Sequence, residues 1–414
     1  MKILFIFIFA FLNFFQCTFA QFHKTKLEFG ADQLLSNYLY LIKGKRIALV
    51  TNQTGVLANG NLLLDTLIKI KNISVEKIFS PEHGYRGVKN AGEKVESSID
   101  SRTGIPVVSL YGKIKKPAPE MLKNIDLILY DLQDVGSRYY TYISTLFKVM
   151  QAAAENDIPL IVLDRPDPIN AKDTEGPVLK KEFESFVGIA QIPIRYGMTP
   201  GELAEMFAGS KWLGHNLKLN LTVIKMKGFV RDLYYGDYDL SWISPSPNMP
   251  YIESALVYPG TCLLEATNVS EGRGTYYPFT LIGAPFINAE RLIEELNKHN
   301  MNGLQLTPTV FTPIDIPSSA KNPKYKGQVC NGISIEVKDR RIFHPVRFGL
   351  ILISSLAKLY PRKFKIFTKQ FDRLSGDSSI RKFILQDVSP EKIISTWQKE
   401  LNRFDSLRKK YLLY

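Results

Sequence analysis

At 414 residues, with 45% hydrophobic and 22% charged residues and no low-complexity tract, the chain can bury full cores for two domains, which excludes a disordered or fibrous protein. Its 53 basic residues outnumber 40 acidic ones, and the resulting formal charge of +13 suits an anionic partner. Three cysteines are too few for a disulfide scaffold.

Met1 and Lys2 precede an apolar run over residues 3–15, and Thr18 and Ala20 supply small residues before Gln21. That is the layout of a cleavable export signal, and the run is too short to span a bilayer. Lipidation at Cys17 would require small residues where Phe14, Phe15 and Gln16 stand. The expected product is exported, periplasmic or extracellular, after cleavage near Ala20, with no membrane span. Loss of residues 1–20 removes one Lys and no acid, so the charge falls from +13 to +12. In that compartment anionic wall polymers, not nucleic acid, are the fitting partner. Cys262 and Cys330 remain, either as one bridge or as two buried thiols.

Five apolar, β-rich runs follow in the first half: 46–51 (RIALVT), 75–80 (VEKIFS), 105–110 (IPVVSL), 126–130 (DLILY) and 159–163 (PLIVL). Helical patterns cover 61–71 and 141–156. Continuous apolar strands alternating with helices predict a parallel sheet covered on both faces, with ligands beyond the carboxyl ends of the strands. Thr199-Pro200-Gly201-Glu202 carries the capping pattern of a further helix. The stretch 242–250 (WISPSPNMP) is too rich in Pro and Ser for an element and marks a junction. Beyond it come mixed strands over 277–337, a helix at 289–300 and two amphipathic helices near 346–359 and 390–410. The expected architecture is α/β: a Rossmann-like parallel-sheet domain over 30–250, then a smaller α/β domain over 251–414. A fragment ending near Pro250 is expected to fold alone.

Four polar clusters carry the candidate chemistry. Glu82, His83 and Arg86 follow the second run. Asp131, Gln133, Asp134, Arg138 and Tyr140 follow the fourth, and Asp164 and Arg165 follow the fifth. Asn248 lies in the junction, ahead of Glu265, Asn268, Glu271 and Arg273. Asn52 stands after the first run. Any one Asp-Arg pair at a strand end can simply close a loop, but three clusters leaving one sheet edge describe a cleft for a polar, partly anionic ligand. Glycoside hydrolysis needs a proton donor and usually a second carboxylate. Glu82 is the acid candidate, with His83 beside it; Asp131, Asp134, Glu265 and Glu271 compete for the second role. The remaining polar residues of the clusters are candidates for binding the sugar, with Gly272 and Gly274 expected to let the backbone approach it closely. An Arg is expected to receive an anionic ligand group: Arg138, Arg165 or Arg273, with Arg86 behind them.

Other chemistries lack their signatures. There is no G-x-S-x-G elbow, no His pair at metal-ligand spacing and no G-x-G-x-x-G after the first strand, so no metal or cofactor is expected. The S-x-x-K matches at Ser355 and Ser389 have no K-T-G to follow them, and chance accounts for both.

The segments LVTNQTG (49–55), SPEHGYRG (80–87), TGIPVVSLYG (103–112), DLQDVGSRYYTYISTL (131–146), LDRPDPI (163–169), GMTPGELA (197–204), SPSPNMP (244–250) and EATNVSEGRGTYYPF (265–279) resemble the NamZ family of exo-β-N-acetylmuramidases. Two positions depart from that pattern: Ala266 stands where Gly is common, and Asp167 where Asn is. The resemblance implies a Rossmann-like domain, a smaller second domain and a cleft between them. It also implies release of N-acetylmuramic acid (MurNAc) from the non-reducing end of MurNAc-GlcNAc fragments, and it places the family's catalytic candidate on Glu82. The rival expectation is a non-catalytic wall-sugar-binding protein; an amidase or esterase is disfavoured by the absent motifs.

Overall fold

The computed structural model describes residues 25–87 and 97–414, so the expected export signal lies outside the described residues. The first half contains α1 (Gly30–Asn37), β1 (Arg46–Thr51), α2 (Leu63–Leu67), β2 (Ser74–Ser80), β3 (Ser98–Ile99), β4 (Pro106–Ser109), α3 (Pro119–Leu122) and β5 (Leu127–Asp131). It continues through α4 (Tyr142–Glu155), β6 (Leu160–Leu163), α5 (Pro200–Gly209) and β7 (Leu221–Ile224). The strands form one sheet in the order β3-β4-β2-β1-β5-β6-β7, parallel throughout except for β3 against β4.

The expected parallel sheet is present, and its physical basis is visible in the burial. Every residue of β5 and β6 is buried, because helices cover both faces. Alternate residues of β1 serve opposite cores: Ala48 and Val50 pack with α4 and α5, whereas Ile47 and Leu49 pack with α1 and α2. Thr199 accepts from the Glu202 amide and Glu202 from the Thr199 amide, which is the predicted start of α5. Strands β3 and β7 were not expected. Both are short edges, and β7 buries only Ile224, so neither carries a strong apolar run.

Residues 242–250 hold no helix or strand. After them come α6 (Ile252–Thr261), β8 (Leu281–Ala284), α7 (Ala289–Leu296), β9 (Leu304–Phe311) and β10 (Cys330–Val337), the strands forming an antiparallel sheet in the order β8-β10-β9. Four helices end the chain: α8 (Pro345–Leu359), α9 (Thr368–Ser375), α10 (Ser378–Leu385) and α11 (Pro390–Arg408). The expected tail had only two. Helices α9 and α10 are eight residues each and break at Gly376 (φ 79), too short for their apolar period to stand out. Cys262 and Cys330 are both free and buried.

The two halves are tied by more than the junction. The core between the sheet and α4 runs on into α8 and α11 without a break. The Arg138 guanidinium is fully buried and donates to four carbonyls, Pro177 and Ile192 on one side and Leu374 and Ser375 at the end of α9 on the other, at 2.7–2.9 Å. Arg408 of α11 donates to the carbonyls of Gly197 and Lys172, and the Tyr414 hydroxyl donates to Asp164 at 2.7 Å. A fragment ending near Pro250 would expose that shared core, against the expectation that it folds alone.

Candidate active site

A cavity of about 470 Å³ opens between the halves. Glu82, His83, Tyr111 and Tyr139-Tyr140-Thr141 line it from the sheet side; Glu265, Glu271, Arg273, Phe279 and the loop 319–324 line it from the other.

The sheet wall is built at the carboxyl ends of β2 and β4. Directly after β2 the chain turns, with the Gly84 amide donating to the Pro81 carbonyl at 3.1 Å. His83 takes φ 72 and Gly84 φ 79. A left-handed histidine is uncommon and costs energy, so the surrounding packing must hold it, a pattern typical of functional turns. Glu82 is thereby set into the cavity wall at 8% exposure. Thr141 Oγ1 donates to Glu82 Oε2 at 2.7 Å; this threonine precedes α4 but gives its hydroxyl to Glu82 and makes no cap. Tyr111, two residues past β4, hydrogen-bonds Glu82 as well. Burial, and then the negative charge of Glu82, raise the Tyr111 pKa, so its hydroxyl remains a donor.

The opposite wall is a charge cluster. Arg273 Nη2 donates to Glu265 Oε1 at 2.7 Å, and its Nε lies 3.6 Å from Glu271 Oε1. The guanidinium sits 5.1 Å over the Phe279 ring. Burial opposes the charge on Arg273, but Glu265 and Glu271 together outweigh it and raise its pKa. Lys324 Nζ donates to the Leu264 carbonyl, the Val269 carbonyl and Glu271 Oε2 at 2.7, 3.0 and 2.9 Å, which uses all three of its hydrogens. The Glu271 side chain is 5% exposed and committed to these cations, whereas that of Glu265 is 32% exposed. The glycines here allow close packing of the chain on itself. At Gly274 (φ 81) a Cβ would meet Pro323 Cγ at 2.6 Å and the Ile314 carbonyl at 2.7 Å, and at Gly272 (φ 83) the Leu281 carbonyl at 2.6 Å.

The structure gathers Glu82, His83, Tyr140, Asn248, Glu265, Glu271 and Arg273 into this cavity and places the other predicted residues elsewhere. Arg165 grips Asp131 through Nε (2.6 Å) and Nη2 (3.1 Å), donates to the Val56 carbonyl at 2.7 Å and lies over Phe29; both charged side chains are at most 1% exposed. Burial raises the Asp131 pKa while Arg165 opposes it. Asn52 donates to the Tyr142 hydroxyl at 2.7 Å, and Gln133 to the carbonyls of Asp134 and Pro166 at 2.9 and 2.8 Å. Asp134 accepts from the Gly136 amide and the Tyr196 hydroxyl, and burial pushes its pKa up to about 7. Asp164 anchors the start of α5 through Thr199 Oγ1 and the Gly201 amide, both at 2.7 Å. Asn268 holds the Lys363 carbonyl and the Lys365 amide, away from the cavity. Arg86 pairs with Asp100 at 2.5 Å and does not line the cavity. Thus neither Arg138 nor Arg165 is placed to receive a ligand: Nη1 and Nη2 of Arg138 are spent on carbonyls, Nε and Nη2 of Arg165 on Asp131 and Val56, and both side chains are sealed from water.

Sequence reasoning missed Tyr111, Thr141 and the loop 319–324. The first two lie in strand-end segments already singled out, SLYG and YYTY, but hydroxyls draw less attention than carboxylates. Nothing in the sequence signalled the loop, which reaches the cavity only through tertiary packing.

A polar cleft with a carboxyl group on each wall is the apparatus of glycoside hydrolysis. Two family profiles, described as the N-terminal and C-terminal parts of the exo-β-N-acetylmuramidase NamZ, match residues 47–253 and 256–414. The chain belongs to this NamZ family of glycoside hydrolases. It is 46% identical over 392 residues to the peptidoglycan β-N-acetylmuramidase NamZ of Bacillus subtilis, covering 94% of this chain and 92% of that protein. Crystal structures of two DUF1343 family proteins from Bacteroides fragilis share the fold. One gives a TM-score of 0.87 at 35% identity, covering 95% of this chain and all of the other (100%). The second gives 0.75 at 36% identity, covering 94% and 99%.

Proposed function

We propose that this chain hydrolyses the terminal, non-reducing MurNAc from peptidoglycan fragments of the MurNAc-GlcNAc type, with Glu82 as proton donor and Glu265 as the second carboxylate. The observation that supports the reading is that both carboxyl groups line one cavity, Glu82 from the first half of the chain and Glu265 from the second. Glu82 gives its proton to the glycosidic oxygen as the C1–O bond breaks, which lets the GlcNAc hydroxyl leave. The Glu265 carboxylate, held by Arg273, stabilises the positive charge that develops at C1 as this bond breaks; water then bonds to C1 through its oxygen and gives up a proton, which restores Glu82 directly or through solvent. Asp131 and Asp134 are both buried outside the cavity, and Glu271 is committed to Lys324 and Arg273. We further propose that the protein is exported and works outside the cytoplasm. The signal-like first 20 residues, the basic surface and the location of peptidoglycan support this.

Glu82→Gln keeps the shape of the side chain but cannot supply the proton. Its kcat on a MurNAc β-glycoside should fall at least about 100-fold, the low end for acid–base catalysis, with the unfolding midpoint little changed. Near-normal turnover by this variant would remove Glu82 from the mechanism.

A further inference from the structure

The loop that joins β9 to β10 carries three lysines, Lys321, Lys324 and Lys326, and two of them are committed to the protein. Lys324 is saturated by two carbonyls and Glu271, and Lys326 is paired with Asp315. Asp315 also accepts from the Asn322 amide at 2.7 Å. The loop is held from the junction too, since Asn248 Nδ2 donates to the Ser319 carbonyl at 2.8 Å. Pro323 packs on Gly274, where a side chain would collide with it. A loop pinned at Ser319, Asn322, Pro323 and Lys324 holds the backbone of residue 321 in one place. Lys321 is exposed, lines the cavity and has no hydrogen bond or ion pair among the described residues, although its charge is felt at Asp315.

Charge balance points the same way. Among the described residues of this wall Arg273 and Lys324 are matched by Glu265 and Glu271, which leaves Lys321 as the cation without a paired carboxylate there. MurNAc differs from GlcNAc by a lactyl ether that ends in a carboxylate. An incoming carboxylate gains most from a cation that no protein carboxylate already neutralises, and an ammonium at the rim can meet it without displacing an internal ion pair. Resting on the muramidase reading above, we infer that Lys321 receives the lactyl carboxylate and so sets the preference for MurNAc.

The test uses the full chain and two aryl β-glycosides, one of MurNAc and one of its lactyl carboxamide, which keeps the shape and removes the charge. The readout is the ratio of kcat/KM for the two. The wild-type ratio should be about 10 or more, the size of one charge-assisted hydrogen bond. In Lys321→Ala it should fall to within about threefold of unity, mostly through KM, and Lys321→Arg should retain most of it. Added salt should depress the wild-type ratio more than that of Lys321→Ala. A Lys321→Ala ratio equal to wild type, or a wild-type ratio near one, overturns the inference while leaving the muramidase reading intact. If the wild type turns over neither glycoside, the muramidase reading falls first.

Discussion

Two regions of the sheet's carboxyl edge carry the same kinds of residue and use them in opposite ways. Past β5 and β6 the charges are sealed: Arg165 closes on Asp131, Asp164 anchors α5, and Asp134 is held beneath Tyr196. Past β2 and β4 they are open, with Glu82 and Tyr111 facing the cavity. In open α/β sheets the crevice where strand order reverses is the usual ligand site. Here β1 has β2 on one side and β5 on the other, and that crevice is filled by the protein's own Arg165, Asp131 and the 52–56 loop. The cavity lies instead toward β2 and β4, where Tyr258 of α6, the segment 265–279 and the loop joining β9 to β10 supply the other wall. The sealed region also holds Tyr142 through Asn52, next to the segment 139–141 that lines the cavity.

The largest effect should come from breaking the sealed side. Arg165→Ala leaves Asp131 buried without a partner, and such losses cost about 3–5 kcal/mol. Chemical denaturation should show that loss. Replacing both partners with apolar residues of similar volume should recover much of it, because the desolvation of two buried charges offsets most of their attraction. If Arg165→Ala were as stable as wild type yet inactive, Arg165 would belong to the open side after all.

The open side should show the reverse pattern. Glu265→Gln removes the cavity-facing carboxylate while its neighbours keep their hydrogen bonds, so stability should change by less than about 1 kcal/mol. Its kcat should nevertheless fall about 100-fold, or about 2.7 kcal/mol of transition-state stabilisation. Equal turnover by Glu265→Gln would return the second-carboxylate role to the remaining candidates, Glu271 first, since it too lines the cavity.

This contrast also explains what was legible in the sequence. Continuous apolar strands such as LIVL can only be buried on both faces, so the parallel sheet could be read directly. Glu82 was legible because Pro81 and Gly84 mark a turn at a strand end. Sealed and open charges were not separable, because an Asp-Arg pair reads the same whether a loop covers it or not. What decides between them is long-range: Val56 reaching Arg165 across 109 positions, and Leu374 reaching Arg138 across 236. The second sheet's contribution to the cavity was equally hidden, since the loop 319–324 owes its position to Asn248 and Gly274.

The last test, read as a slope with pH, asks whether the sealed side is charged at all. Burial pushes the Asp134 pKa from an ordinary 3.8 up to about 7, and its neighbours Asp167 and Tyr196 are also raised by burial. Between those two pH values the folded state holds a proton that the unfolded chain has released. By linkage, stability is greatest below about 3.8 and is lost as pH rises toward about 7, at no more than about 1.4 kcal/mol per pH unit for this one group. Asp134→Asn cannot titrate, and its amide oxygen can still accept from the Gly136 amide and the Tyr196 hydroxyl. Urea midpoints at pH 5, 6, 7 and 8 should therefore show the variant gaining on wild type up to about pH 7 and then running parallel to it. Curves that stay parallel across the whole series would mean that Asp134 is ionised throughout, with its negative charge met inside the fold.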